Sequence, residues 1–156
     1  MTLKAVIQND LTLPCIPDPK QFQLWVNAAV KYVENQIPKN INEVCIRIVD
    51  RIESAELNRT FREKEGPTNV LSFADLDLED ESLGDLAICA ELVASEAENL
   101  GIAIKDHWAH LTVHGILHLL NYDHINDQDA EEMEALEIKI LKTLDIDNPY
   151  EEPPHD

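Results

Sequence analysis

Three histidines stand in the segment HGILHLLNYDH: His114, His118 and His124. On an α-helix, residues four apart project from nearly the same face, one turn apart. His114 and His118 can therefore reach one ion. The helix is expected to stop near Asn121, a residue that tolerates the left-handed conformation of helix ends. NYDH is then short enough to return His124 to the same face. Two helical imidazoles and a third from the following turn make a three-nitrogen site. Zinc takes such ligands at about 2.0–2.1 Å, and its catalytic sites keep a fourth position open. The pair looks like the start of the zinc-peptidase motif HExxH, but the position of that motif's glutamate is Gly115. A mid-helix glycine costs about 1 kcal/mol relative to alanine, so something is expected to approach the backbone closely there. Asp123 is either a carboxylate that orients a ligand histidine or a turn residue. His110, four residues before His114, is expected behind the ligands or at the surface, with a substitute ligand in an alternative register as the other reading.

These side chains need a helix held against a sheet. LKAVIQ (3–8) reads as a first strand, and Asp18-Pro19 as the cap and first residue of a helix running to about Gln36 and stopped by Pro38. EVCIRIVD (43–50) alternates, with Val44, Ile46 and Ile48 on one face of a strand. ESAELNRTFR (53–62) suits a short helix ending near Gly66-Pro67. TNVLSFADL (68–76) and GDLAICA (84–90) read as strands that pair across an acidic loop, 75–85. AELVASEAENLG (90–101) is a helix with Gly101 just past its end. Asp106 is expected to cap the histidine helix, from about His107 to Leu120. Ala130, Met133, Leu136, Ile140 and Leu144 make an apolar stripe on a helix over 127–144, otherwise a solvated acidic face. Residues 145–156 are expected to fray. The fold class is α+β: one domain, with a small mixed sheet of about four strands covered by helices and a central metal-binding helix.

At 156 residues the chain can bury a sizeable core without staples. Three cysteines, with no C-x-x-C spacing, suit reduced thiols in a cytoplasmic protein. No apolar run is long enough for a membrane span, and the N-terminus is too polar for a signal peptide. The net charge of −19 is lopsided. Residues 1–70 carry 9 basic and 9 acidic side chains, and residues 71–156 carry 3 and 22. Such acidity argues against a nucleic-acid partner, unless the polyanion approaches through the first half, where Arg47, Arg51, Arg59, Arg62 and Lys64 lie.

HGILHLLNYDH resembles the HGxLHLxGYDH signature of the YbeY endoribonucleases, a bacterial metalloprotein family of rRNA maturation. LNRTFREKEGPTNVLSF resembles that family's motif N-x-x-[YF]-R-x-x-x-x-PT-[DN]-VLSF. LGDLAIC and HWAHLTVHG resemble its intervening blocks, so the resemblance runs from about Val44 to Tyr150. One departure is Asn121, where the family usually has glycine. The resemblance implies one zinc per chain on His114, His118 and His124, and Arg62 as the functional arginine. It also implies processing of the 3′ end of small-subunit rRNA and a part in ribosome quality control.

A phosphodiester does not need the peptidase glutamate in the same way. A metal can polarise a phosphoryl oxygen or activate a water, and Arg62 can neutralise the transition state through its bidentate fork. Water and the RNA 2′-hydroxyl both remain open as nucleophile. Glu63 and Glu65 are close enough in sequence to hold Arg62 instead. Single-stranded RNA is the expected substrate, because an exposed phosphate must reach a recessed metal. Thr68, Asn69 and Ser72 are candidates to bind it, or else strand-edge hydrogen-bonding residues. Basic proteins of the small ribosomal subunit complement the acidic half as partners. Two rival readings are a zinc peptidase and a non-catalytic ribosome assembly factor with structural zinc.

Overall fold

The computed structural model describes residues 3–13, 15–74, 81–120 and 127–150. In chain order its elements are β1 (Lys4–Asn9), α1 (Pro19–Val33), a 3-10 turn (Glu34–Gln36), β2 (Glu43–Val49) and α2 (Arg51–Arg62). They continue with β3 (Val70–Ala74), β4 (Ser82–Cys89), α3 (Ala90–Leu100), α4 (Ile104–Leu119) and α5 (Asp127–Lys142). The α+β reading holds: a four-stranded mixed sheet is covered by helices. Its order is β1-β2-β4-β3, with β1, β2 and β4 parallel and β3 antiparallel on the edge. The β3–β4 pair is the expected hairpin.

The alternation of β2 and β4 sets the two faces of the sheet. Val44, Ile46, Ile48, Leu86 and Ile88 join the main core with α1, α4 and α5. Val49, Ala87 and Cys89 face the other way, toward Leu57 of α2. Helix α4 is apolar almost all round, as a helix inside a core must be: Trp108, Ala109, Leu111, Val113, Ile116 and Leu117 are all buried. Its half-buried line is His110, His114 and His118, at four-residue spacing.

Several boundaries differ from expectation. Helix α4 begins at Ile104, because the Ala103 carbonyl accepts the amides of Asp106 and His107 at 3.1 and 3.2 Å. Asp106 is thus not the cap. It sits in the first turn, where a carboxylate favours the positive end of the helix dipole. Helix α2 starts earlier, capped by Asp50, and stops at Arg62 because Glu63 takes the left-handed conformation. Of the supposed acidic loop, Ser82–Asp85 is already strand, with Leu83 buried; residues 75–80 lie outside the described residues. Gly101 ends α3 as expected, at φ +68°. Asp145 ends α5 the same way, at φ +59°. There the Ile146 and Asp145 amides donate to Leu141 and Lys142, a Schellman motif that reverses the chain. Of the tail expected to fray, residues 145–150 follow that reversal, and 151–156 lie outside the described residues.

Candidate metal centre

Helix α4 presents its histidines as the spacing requires. The Nε2 atoms of His114 and His118 face each other at 3.0 Å. Nitrogens bound at tetrahedral angles to one zinc would stand about 3.3 Å apart, so a small adjustment admits an ion. His124 and Asp123 lie outside the described residues, as does the turn expected at Asn121.

A carboxylate stands behind His114, and sequence reasoning missed it. Glu137 of α5 is fully buried, and one of its oxygens accepts a hydrogen bond from His114 Nδ1. The other oxygen accepts from the Tyr150 hydroxyl and lies 3.5 Å from His110 Nε2. Burial by itself pushes this carboxyl up. Hydrogen bonds from His110, His114 and the Tyr150 hydroxyl outweigh it and hold the group at about 2. Burial and the neighbouring Glu137 push the Tyr150 phenol up, so it stays protonated and donates. The signal for Glu137 was in the sequence. It stands four residues after Met133 and three before Ile140, inside the apolar stripe rather than on the acidic face. His110, expected behind the ligands or at the surface, touches both Glu137 and Tyr150, the latter at 3.3 Å. His110, His114 and Glu137 also offer ligand atoms within 4.8 Å of one another, a possible metal-binding triad.

Gly115 has its explanation in packing. A Cβ there would meet Leu86 Cδ2 at 2.7 Å, and Leu86 is fully buried in β4. The backbone of α4 lies directly on the sheet, which fixes the height of His114 above it. The residue that replaces the peptidase glutamate is thus a packing residue.

Arg62, at the end of α2, reaches the edge strand β3. Its Nη2 donates to the Ser72 carbonyl at 2.9 Å, and the Ser72 hydroxyl donates to the Gly115 carbonyl at 3.3 Å. Strand β3 thus connects Arg62 to the helix residue beside His114. Among the described residues Arg62 pairs with no carboxylate, so Glu63 and Glu65 do not hold it. Arg47 and Arg51, by contrast, are paired with Glu53 and Glu91. Asn69 donates to Glu96 at 3.0 Å and caps its neighbour Val70. Thr68 exchanges backbone hydrogen bonds with the Ser54 hydroxyl.

The sequence profile described as Endoribonuclease YbeY matches residues 7–145. The chain belongs to the YbeY family. Among curated YbeY relatives, one from Coxiella burnetii is 48% identical over 149 residues, covering 94% of this chain and 97% of its own. One from Alteromonas mediterranea is 50% identical over 141 residues, covering 87% and 85%. Both are described as Endoribonuclease YbeY. The fold is similar to the solution structure of a Thermotoga maritima protein, with a TM-score of 0.60 and 22% identity over 97% of this chain and 99% of that one. Among the described residues of this YbeY chain, no helix is long and apolar enough to cross a membrane.

Proposed function

We propose that this YbeY chain is a single hydrolase domain that cuts single-stranded RNA with a divalent metal, in maturation of the 3′ end of small-subunit rRNA in the cytoplasm. The proposed ligands are His114, His118 and His124, with zinc as the ion. The observation that carries this reading is the facing pair of Nε2 atoms, with the Nδ1 of His114 already committed to Glu137. A histidine that donates one ring nitrogen to a carboxylate presents the other as a fixed lone pair. That arrangement also favours His118 as the partner ligand over the triad of His110, His114 and Glu137, whose carboxylate is already taken up by the His114 Nδ1 and Tyr150 hydroxyl hydrogen bonds.

A divalent ion held there supplies Lewis-acid polarisation of a phosphoryl oxygen. The protein's own part is charge and position. Arg62 spends one donor on Ser72 and, paired with no carboxylate among the described residues, keeps the rest of its guanidinium fork for phosphate oxygens. Ser72 serves here by anchoring Arg62 and α4. Thr68 and Asn69 border the same strand end and are proposed to line the RNA path. The acidic second half requires docking help, for which basic ribosomal proteins are the natural complement. Quality control of ribosomes is proposed on the same footing.

The test is cleavage of an end-labelled single-stranded RNA by zinc-loaded protein, beside His114→Ala and Arg62→Glu. Wild type alone should cut. Arg62→Glu should lose at least about 100-fold in rate, the scale for a transition-state charge partner, while binding zinc normally. Equal cutting by all three would mean a contaminating nuclease. Failure of zinc-bound wild type to cut free RNA or ribosomes would leave a non-catalytic assembly factor.

A further inference from the structure

We propose that Tyr150 is a positioning residue for the metal centre, acting through Glu137 on His114 to raise metal affinity. The inference rests on the reading of His114 and His118 as ligands.

Glu137 projects from α5 among buried Met133, Ile140 and Leu141. A carboxylate held by one oxygen can turn about its side-chain bonds, and the imidazole it orients turns with it. Here both oxygens are anchored: one takes the His114 Nδ1 proton, the other takes the Tyr150 hydroxyl proton. A phenol has one proton to give, and giving it to Glu137 leaves the Tyr150 oxygen as an acceptor. His110 Nε2 stands 3.3 Å from that oxygen, with the two rings edge to face at 5.5 Å between centroids. His110, Tyr150, Glu137 and His114 thus form one continuous hydrogen-bonded layer behind the Nε2 pair. Tyr150 reaches it because Asp145 reverses the chain after α5 and Asn148 steadies the next turn through the Tyr150 amide, at 2.8 Å. Tyr150 as a whole residue is 41% exposed, and its hydroxyl is the group that reaches the centre.

Outer partners of metal-bound histidines are worth about 10- to 100-fold in metal affinity. Tyr150→Phe keeps the ring and its contact with His110 and deletes only the donor. It should weaken Zn2+ binding about 10-fold, measured by competition with a chromophoric chelator on the full chain. Glu137→Gln should weaken it by about 10- to 100-fold, because its amide cannot replace the carboxylate toward both donors. The double variant should bind like Glu137→Gln alone, since Tyr150 acts only through that carboxylate. In metal-free protein, the His114 Nδ1 proton should exchange with solvent faster in Tyr150→Phe than in wild type, as read by NMR. Wild-type zinc affinity in Tyr150→Phe would overturn the inference. So would a double variant weaker than Glu137→Gln by the full Tyr150 factor. His118→Ala runs alongside: if it binds zinc as tightly as wild type, the ligand reading itself falls, and this inference with it.

Discussion

Two of the imidazole–carboxylate pairs on helix α4 are built for different ends. Near its start, His107 gives Nε2 to Glu96 at 2.8 Å, and Glu96 also receives Asn69 at 3.0 Å. His107 is buried, and its Nδ1 has no hydrogen-bond partner among the described residues. That pair ties α4 to α3 and to the start of β3. Two turns on, His114 gives Nδ1 to Glu137 and turns Nε2 to another imidazole. A carboxylate fixes a ring in both places, but only in the second does the ring's other nitrogen face a further ligand type. The histidine–carboxylate pair is therefore no signature of a metal site; what the opposite nitrogen faces decides.

The sharpest way to break that contrast is to delete one histidine from each pair's neighbourhood. His118→Ala should abolish stoichiometric zinc binding and RNA cleavage together. His107→Ala should leave zinc affinity unchanged and lower stability by about 1–3 kcal/mol, the range for losing a buried hydrogen-bonded side chain. Zinc titration and denaturant melts separate the two. Loss of zinc binding in His107→Ala would erase the distinction.

The next test uses acid. Glu137 is held at about 2, below its ordinary 4.5, so folding favours its ionised form. The stability this gives is complete above about pH 4.5 and is lost as the pH falls toward 2. It amounts to as much as roughly 3 kcal/mol. In metal-free protein, the gap in unfolding free energy between wild type and Glu137→Gln should narrow over that window. A gap independent of pH would mean that the buried carboxylate is not the stabilising species.

The smallest expected effect concerns Gly115. Gly115→Ala gains about 1 kcal/mol of helix propensity and loses about 1–3 by overpacking against Leu86. A net loss of about 1 kcal/mol is expected from thermal melts, with zinc affinity reduced as α4 lifts from the sheet. A more stable variant would show that Leu86 can yield.

What was legible in the sequence was what rests on spacing and on residues with narrow backbone preferences. The period of α4 placed His114 and His118 together, and Gly101 announced the end of α3. Asp145 makes the same turn after α5, but aspartate adopts that conformation only occasionally, so nothing announced it. Without that reversal, the approach of Tyr150 to Glu137 is invisible. Glu137 itself was hidden by its company: in EEMEALEIKILK one glutamate among several looks solvated. Only its register with Met133 and Ile140 sets it apart. Arg62 was found by resemblance, and its connection through Ser72 to Gly115 needed the edge position of β3. The start of α4 was misplaced because a backbone carbonyl, not the available aspartate, opens the helix.

The order β1-β2-β4-β3 has a further consequence for how the chain comes together. The split in charge near residue 70 is no split in the fold, since each half supplies two strands and β2 of the neutral half lies against β4 of the acidic half. A polypeptide cut within the acidic connection would yield two pieces, each lacking a neighbour for an inner strand. Neither should fold by itself, and mixing them should restore the sheet by fragment complementation. Because parallel pairing of such distant segments must wait for closure of long loops, the intact chain should fold slowly for its size, with the histidine helix and its tyrosine latch completed together with the sheet.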